Sequence, residues 1–206
     1  MTTDDLVAAA AIAVVLIGVG VAVAVMRRAG QKRLATLAPA FELGTCRKVG
    51  PLGMAVKGLY CGYTCRYTIQ HASQYSPGGA ALRLAAAVPF RWSAHVVDAG
   101  SRLMVKLGLL QDLDVGAGEL DDRLRFAADD EGDLRSLIGT GSVRTLLGTL
   151  LESPNFTAVQ VRGGHFEARW APRERRLDED PEVLRARLDV VASLAVACGC
   201  PPSLAP

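Results

Sequence analysis

The stretch FTAVQVRGGHFEARW, from Phe156 to Trp170, decides the fold class of this chain. Apolar and polar residues alternate on both sides of Gly163 and Gly164, which is the pattern of two strands that each bury one face. Two consecutive glycines between such strands are typical of a tight two-residue turn. The stretch therefore predicts a β-hairpin with antiparallel strands.

The same alternation recurs on the N-terminal side of the hairpin. From Gly62 to Gln70, large or apolar side chains occupy every second position, as in a half-buried strand. Other short apolar or alternating stretches are candidate strands: 82–88, 92–96, 103–110, 113–115 and 124–126. We therefore expect a β-rich first half.

The second half has helical periodicity on either side of the hairpin. Ser142 suits the start of a helix that continues to Leu151. Asp180 suits the cap of a last helix over 181–198, with a proline in its first turn. That helix has one apolar stripe: Leu184, Leu188, Val191 and Ala195. The fold class predicted for this domain is α+β, an antiparallel β-rich sheet with two or three packed helices.

An apolar run near the N-terminus predicts one transmembrane helix before this domain. The run LVAAAAIAVVLIGVGVAVAVM, from Leu6 to Met26, has 21 residues and no charged side chain. A helix of about 20 apolar residues crosses the hydrocarbon core of a bilayer. A signal peptide is the alternative interpretation, but its N-terminal region is normally basic. Asp4 and Asp5 precede this run instead.

The charges that flank the run predict its orientation. No Lys or Arg precedes it, whereas Arg27, Arg28, Lys32 and Arg33 follow it, and basic residues stay on the cytoplasmic side. The predicted division of the chain is an extracytoplasmic N-terminus (1–5), a transmembrane helix (6–26), a juxtamembrane connector (27–44), a cytoplasmic α+β domain (45–200) and a tail (201–206). Small residues four apart in the run would allow a homo-oligomer to form through the anchor.

Charge is unevenly spread along the predicted domain. Residues 43–110 contain eight Lys or Arg and one acidic residue, whereas residues 111–152 contain ten acidic residues and four Arg. One interpretation is that the basic half faces an acidic partner or anionic lipid headgroups. The other is that the two halves are neighbours in the fold and neutralise each other.

The five cysteines predict neither a disulfide framework nor a metal site. They are Cys46, Cys61, Cys65, Cys198 and Cys200. An odd number of cysteines in a cytoplasmic domain indicates reduced thiols. Cys61 and Cys65 would lie too far apart on one strand, although a turn at Cys61 would bring them closer. Structural zinc requires four ligands in tight pairs, and only the Cys198–Cys200 pair resembles one.

Other residue clusters do not form a catalytic pattern. His71, His95 and His165 are scattered, with no nucleophile motif beside them. The acidic cluster around Gly116 and Gly118 lacks the spacing of an EF-hand. Gly139 to Ser142 has no preceding strand and no following Lys, so a helix break explains it better than a phosphate loop does. We therefore predict no catalytic, cofactor-binding or metal-ligating residue, and no enzyme.

The run GLLQDLDVG, from Gly108 to Gly116, together with Leu120–Asp121, Arg125–Phe126 and Val143–Leu147, resembles a family of uncharacterised membrane-anchored bacterial proteins. In that family the run is approximately G-L-x-D-x-x-x-G-D-x-x-F-D. The resemblance covers residues 50–195 and departs from the pattern at Ala117 and Leu120. It implies the α+β architecture and a bacterial source, and it implies no functional residue. A bacterial source together with the apolar run and its flanking charges predicts a location in the inner (cytoplasmic) membrane.

Two functions follow from these expectations. The first is a non-catalytic, single-pass membrane protein whose cytoplasmic domain is a protein-interaction module, for example an accessory subunit of a larger membrane complex. The alternative is a membrane-anchored sensor or binding domain for an anionic ligand or lipid headgroup. Expected partners are another membrane protein, a second copy of the chain, or membrane lipid, and no nucleic acid. A membrane-tethered enzyme is the least favoured hypothesis.

Overall fold

The structure is a computed structural model, and it describes residues 17–21, 24–25, 28, 32, 35–49, 53–70, 78–172 and 178–203. The strands are β1 (Leu43–Val49), β2 (Gly53–Tyr60), β3 (Tyr63–Gln70), β4 (Gly79–Ala85), β5 (Trp92–Val96), β6 (Leu124–Ala128), β7 (Phe156–Arg162) and β8 (His165–Trp170). The helices are α1 (Ala99–Lys106), α2 (Glu119–Arg123), α3 (Glu131–Gly139), α4 (Gly141–Glu152) and α5 (Pro181–Ala197), and a short 3-10 helix covers Ala38–Ala40.

The eight strands form one sheet in the order β1-β2-β3-β4-β8-β7-β5-β6, and every neighbouring pair is antiparallel. The first four strands form a meander, and the hairpin β7–β8 joins this meander to β5 and β6. The predicted antiparallel sheet with packed helices is therefore confirmed. Strands β4 and β8 are neighbours although about eighty residues separate them in sequence, so this pairing brings distant side chains together.

The predicted hairpin is confirmed at its predicted turn. Arg162 pairs with His165 across Gly163 and Gly164, whose φ angles are +57° and +74°. Both angles lie in the left-handed region, which glycine enters at little cost. The right-handed twist of the strands is matched by a turn of this kind, so the two glycines fix the register of the hairpin.

The helices cover one face of the sheet. Alternate residues of a strand point to opposite faces, and Tyr67, Leu82 and Ala168 belong to the same buried cluster as Leu188 and Val191 of α5. The strand residues between them, such as Arg66 and Arg83, are only half-buried. We call the side that packs against the helices the covered face and the opposite side the open face.

The cap and the apolar stripe of α5 agree with the sequence prediction. The Asp180 carboxylate accepts a hydrogen bond from the Glu182 amide at 2.8 Å, and Pro181 occupies the first turn. The stripe formed by Leu184, Leu188, Val191 and Ala195 is buried. Its outward face includes Val196, which is 65% exposed. The buried stripe places α5 in the core of the domain.

The predicted transmembrane helix over 6–26 is wrong as part of this fold. Within the residues that the structure describes, no helix is both long and apolar enough to cross a membrane. Most of the run lies outside the described residues. The orientation and location that were inferred from it stay predictions.

Two candidate strands have a different structure. Residues 103–110 were expected in a strand, but their first part belongs to α1, because Asp98 and Ser101 form a capping box that starts a helix. Residues 113–115 follow the edge of β6 without joining the sheet as a strand. The Leu113 amide donates a hydrogen bond to the Phe126 carbonyl at 3.0 Å, and the Phe126 amide donates to the Asp112 carboxylate at 3.2 Å.

Candidate functional site: the basic open face

The open face of the sheet is strongly basic. Lys57 pairs with Arg66, Arg66 with Arg83, and Arg83 with Glu167, so these four side chains follow one another across four strands. In the neighbouring row, Arg169 lies opposite Ala81 and Ala158. Further cations on this face are Arg125 and Arg162. Glu167 is the one acidic side chain among the described strand residues of the open face.

The cations Arg66, Arg83 and Arg169 line a shallow cleft of about 490 Å³. Thr68, Thr157 and Glu167 contribute further polar groups to its walls. The remaining lining residues are small, apolar or backbone-rich: Gly78, Gly79, Ala80, Ala81, Trp170, Ala171 and Pro172. A cleft that holds several guanidinium groups and hydroxyls can accept an anionic group such as phosphate or carboxylate.

Glu167 holds two of these arginines in place. Its carboxylate is buried, being 6% exposed, and it accepts hydrogen bonds from Nε of Arg83 and Nε of Arg169. Burial by itself raises the pKa of Glu167, but the hydrogen bonds from Arg169 and Arg83 outweigh burial, so the pKa lies below its ordinary value. Glu167 is therefore ionised at neutral pH. One carboxylate held between two guanidinium groups leaves the cluster with an excess of positive charge.

Arg66 supplies a charge with unused hydrogen-bonding capacity. Its Nε is buried and has no hydrogen-bond partner among the residues that the structure describes. Its cross-strand neighbours are Lys57 and Arg83, and like charges directly opposite each other destabilise a sheet. A bound anion would relieve this repulsion.

A second polar group on the open face surrounds His95. The Nε2 atom of Gln160 lies 3.3 Å from the Nε2 atom of His95. Burial lowers the pKa of His95, and the nearby guanidinium groups of Arg125, Arg169 and Arg162 lower it further. The imidazole is therefore neutral at physiological pH, and the positive charge of this region resides on its arginines.

The acidic cluster predicted from sequence binds its own backbone. Asp114 accepts a hydrogen bond from the Gly116 amide at 2.8 Å, and Asp121 accepts from the amides of Val115 and Ala117. The acidic loop also contacts the helix layer, because Arg144 of α4 donates a hydrogen bond to the Gly116 carbonyl at 3.4 Å. The part of the acidic loop around Gly116 thus lies beside the helix layer.

One weak contact joins the basic and acidic sequence segments. Arg91 and Asp129 form the one described ion pair between residues 43–110 and residues 111–152. Their charged atoms are 4.0 Å apart, and both side chains are largely exposed. Exposed pairs of this kind contribute little. The described contacts thus favour separate faces over mutual neutralisation.

The cysteines lie away from the open face. Cys65, Cys198 and Cys200 are buried and Cys61 is exposed, and all four are free thiols. Burial raises the pKa of Cys65 to about 12 and that of Cys200 to about 11, which makes both thiols poor nucleophiles at neutral pH. Cys61 starts the β2–β3 turn, with a φ of +48°. Cys46 lies in β1, and His71 lies outside the described residues.

No group of three or more metal-ligating side chains comes together among the described residues. His95 and His165 lie on separate parts of the open face, at β5 and at the start of β8. Gly141 and Ser142 belong to the first turn of α4, which follows α3 directly. The absence of catalytic, cofactor and metal residues stays a prediction.

No family model, curated protein or solved structure matches the chain. The resemblance to the uncharacterised membrane-anchored family stays a prediction as well.

Sequence reasoning missed the open face as a site. It noted the excess of Lys and Arg in residues 43–110, but not that Arg169 joins them, because that residue lies in a segment of balanced charge. A signal was present. Arg66, Arg83 and Arg169 all occupy the polar positions of alternating strands, so each had to lie on the solvent side of the sheet. Only the pairing of β4 with β8 brings them into one cluster.

Proposed function

We propose that this domain is a non-catalytic binding module that recognises an anionic group in the cleft between Arg66, Arg83 and Arg169. This is the second of the two functions that the sequence suggests. The observation that carries it is a cleft lined by three guanidinium groups, two of which are held by one buried carboxylate, on a sheet face that the helices leave open.

The chemistry of the cluster supports recognition of phosphate or carboxylate. Guanidinium groups donate in a planar fork that matches the oxygens of both anions, and such charge-assisted hydrogen bonds are stronger than neutral ones. Glu167 would act as a positioning residue, because it fixes the side chains of Arg83 and Arg169 without neutralising Arg66. The hydroxyls of Thr68 and Thr157 offer further donors at the wall of the cleft.

The same surface gives the first hypothesis, a protein-interaction module, a specific form. An acidic protein segment would present carboxylates to the arginine cluster and to the neighbouring cations of the open face. Since a free anion and an acidic segment share this chemistry, the experiment must compare them with probes of both kinds.

The test is calorimetric titration of the full chain with pyrophosphate, with succinate and with a peptide rich in Glu. We expect at least one probe to bind. Arg66→Gln should weaken its binding about tenfold to hundredfold, because a hydrogen bond to a charged group contributes about 1.5–3 kcal/mol. Pyrophosphate as the strongest probe would indicate a phosphate ligand, and the peptide as the strongest would indicate an acidic protein partner.

Arg91→Gln is the matched control. It removes the same charge from an exposed arginine outside the cleft, so it should leave the affinity nearly unchanged. If no probe binds, or if Arg91→Gln weakens binding as much as Arg66→Gln does, the proposal fails.

A further inference from the structure

Helix α1 exposes its apolar side chains instead of burying them. None of its residues is buried, and Leu103 is 57% exposed, Met104 40% and the adjoining Leu107 61%. Residues three and four apart share one side of a helix, so these three side chains form one apolar face. We call this the α1 face. Most amphipathic helices of globular proteins direct such a face towards the core.

The side of α1 that is turned towards the domain is a different one. Ser101 and Val105, one turn apart, are the half-buried residues of the helix. The Ser101 amide donates to the Asp98 carboxylate at 2.6 Å, and the Asp98 amide donates to the Ser101 hydroxyl at 3.0 Å. This capping box fixes the start of a helix that, at eight residues, is too short to be stable alone. The α1 face is therefore held in an outward orientation.

Two cations flank the α1 face. Arg102 and Lys106 are exposed and lie one turn apart, beside Leu103 on the helix surface. The apolar character continues past the helix, because Leu109 is 63% exposed. Exposed leucines next to Lys and Arg are typical of a helix that lies in the interface of a membrane.

The segment that contains α1, residues 97–111, is attached at both ends to the edge of the sheet at β6. Arg125 of β6, whose side chain belongs to the open face, donates a hydrogen bond to the Gln111 carbonyl at 3.3 Å. At the other end of the segment, the Val97 amide donates to the carbonyl of Arg123, the residue before β6, at 2.9 Å. The segment is thus anchored beside the strand that carries Arg125 of the open face.

We propose that the α1 face and the open face together dock this domain onto an anionic membrane surface. Leucine and methionine side chains of α1 enter the headgroup region, while Arg102, Lys106 and the cations of the open face contact lipid phosphates. This proposal deepens the proposed function, since it rests on anion recognition by the open face and names lipid headgroups as the source of the anion. Anionic lipids attract each nearby Lys or Arg, so several cations on one surface act together.

The test places a fluorescent reporter in the α1 face of the full chain. The variant Leu107→Trp is mixed with vesicles of phosphatidylcholine and phosphatidylglycerol in equal parts, and separately with vesicles of phosphatidylcholine alone. We expect the emission of the introduced indole to shift to the blue with anionic vesicles and to be quenched by lipids with brominated acyl chains. The native Trp92 and Trp170 are almost fully buried, so their emission should stay constant.

Val196→Trp is the matched control, because Val196 is an equally exposed apolar residue on the opposite, helical side of the domain. It should show neither the shift nor the quenching. Adding Leu103→Glu to Leu107→Trp should weaken vesicle binding about tenfold or more. The change removes a leucine that the lipid would bury and introduces a negative charge. An indole at position 107 that responds no more than the one at 196 would overturn the proposal.

The dependence on the cleft separates this inference from the proposed function. Arg66→Gln in the Leu107→Trp chain should reduce the response to anionic vesicles, and the phosphatidylcholine vesicles should give little response. If pyrophosphate binds in an Arg66-dependent manner but the indole does not respond to vesicles, the proposed function stands and the membrane proposal fails. If the indole responds equally to both kinds of vesicle, recognition of anionic lipid is contradicted.

Discussion

The two faces of the sheet affect the stability of the fold in opposite ways. On the covered face, side chains such as Tyr67 and Leu82 are fully buried beneath α5 and contribute to folding through the area that they remove from water. On the open face, Lys57, Arg66 and Arg83 lie in cross-strand register, where their mutual repulsion opposes folding. A face that costs stability is a better candidate for function than one that supplies it, and for this reason we propose the open face as the binding site.

The largest effect is expected from the covered face. Leu188 is fully buried in α5, so Leu188→Ala should lower the free energy of unfolding by about 2–5 kcal/mol, the usual cost of emptying a core site. Leu188→Asp should leave little folded protein, because an unpaired charge would be buried. Chemical denaturation of the full chain measures the effect of Leu188→Ala, and circular dichroism shows whether Leu188→Asp folds.

Val196→Ala on the same helix is the control, and it should change the free energy of unfolding by less than about 0.5 kcal/mol. If Leu188→Asp unfolds at the same denaturant concentration as the parent chain, α5 does not belong to the core.

The next effect comes from a charged pair on the covered face. Arg187 is buried and donates to the Asp178 carboxylate at 2.9 Å and to the Tyr67 hydroxyl at 3.0 Å, and its guanidinium lies 4.5 Å from the centre of the Trp170 ring. Arg187→Ala should lower the free energy of unfolding by about 3–5 kcal/mol, because the Asp178 charge is left buried without its partner. Replacing both members, with Arg187→Met and Asp178→Leu, should cost less than the single change. A double variant as unstable as the single one would show that the pair itself stabilises the fold.

A smaller effect concerns pH and the open face. The pKa of Glu167 is lower in the folded protein than its ordinary value of 4.5. The ionised carboxylate therefore stabilises the fold above that value, and this contribution is lost as the pH falls through the lowered pKa. The free energy of unfolding of the parent chain should decrease on acidification more than that of Glu167→Gln. Parallel pH profiles of the two chains would contradict the assignment.

The smallest change in the free energy of unfolding is expected from a substitution on the open face. Arg66→Gln removes a cation that lies between Lys57 and Arg83, so the free energy of unfolding should stay within about 0.5 kcal/mol of the parent or rise slightly. Thermal unfolding at low ionic strength, where the repulsion is least screened, measures the change. A loss of several kcal/mol would assign Arg66 a structural role.

The parts of the fold that the sequence predicts are those with a local cause. The hairpin depends on Gly163 and Gly164, and α5 depends on Asp180 and on its apolar stripe, all of which are visible within a few residues. The second half of α1 overlaps the apolar stretch 103–110, which was a candidate strand because it is short and apolar. The capping box of Asp98 and Ser101 was the local signal that favoured a helix.

The candidate site is hidden in the sequence because it depends on the order of the strands. Arg66 and Arg83 belong to the meander, whereas Arg169 joins them only because β8 inserts next to β4. The transmembrane helix was predicted from apolar composition alone, and no helix among the described residues is long and apolar enough to cross a membrane. The charge split between residues 43–110 and 111–152 left two interpretations open, and the position of the acidic loop beside the helix layer separates them.

The most direct test of the open face as the binding surface is a map of amide chemical shifts of the full chain during titration with pyrophosphate. We expect the shifts to concentrate in β3, β4 and β8 around Arg66, Arg83 and Arg169, to disappear in Arg66→Gln and to persist in Arg91→Gln. Shifts that concentrate in α4 and α5, or that remain in Arg66→Gln, would contradict this expectation.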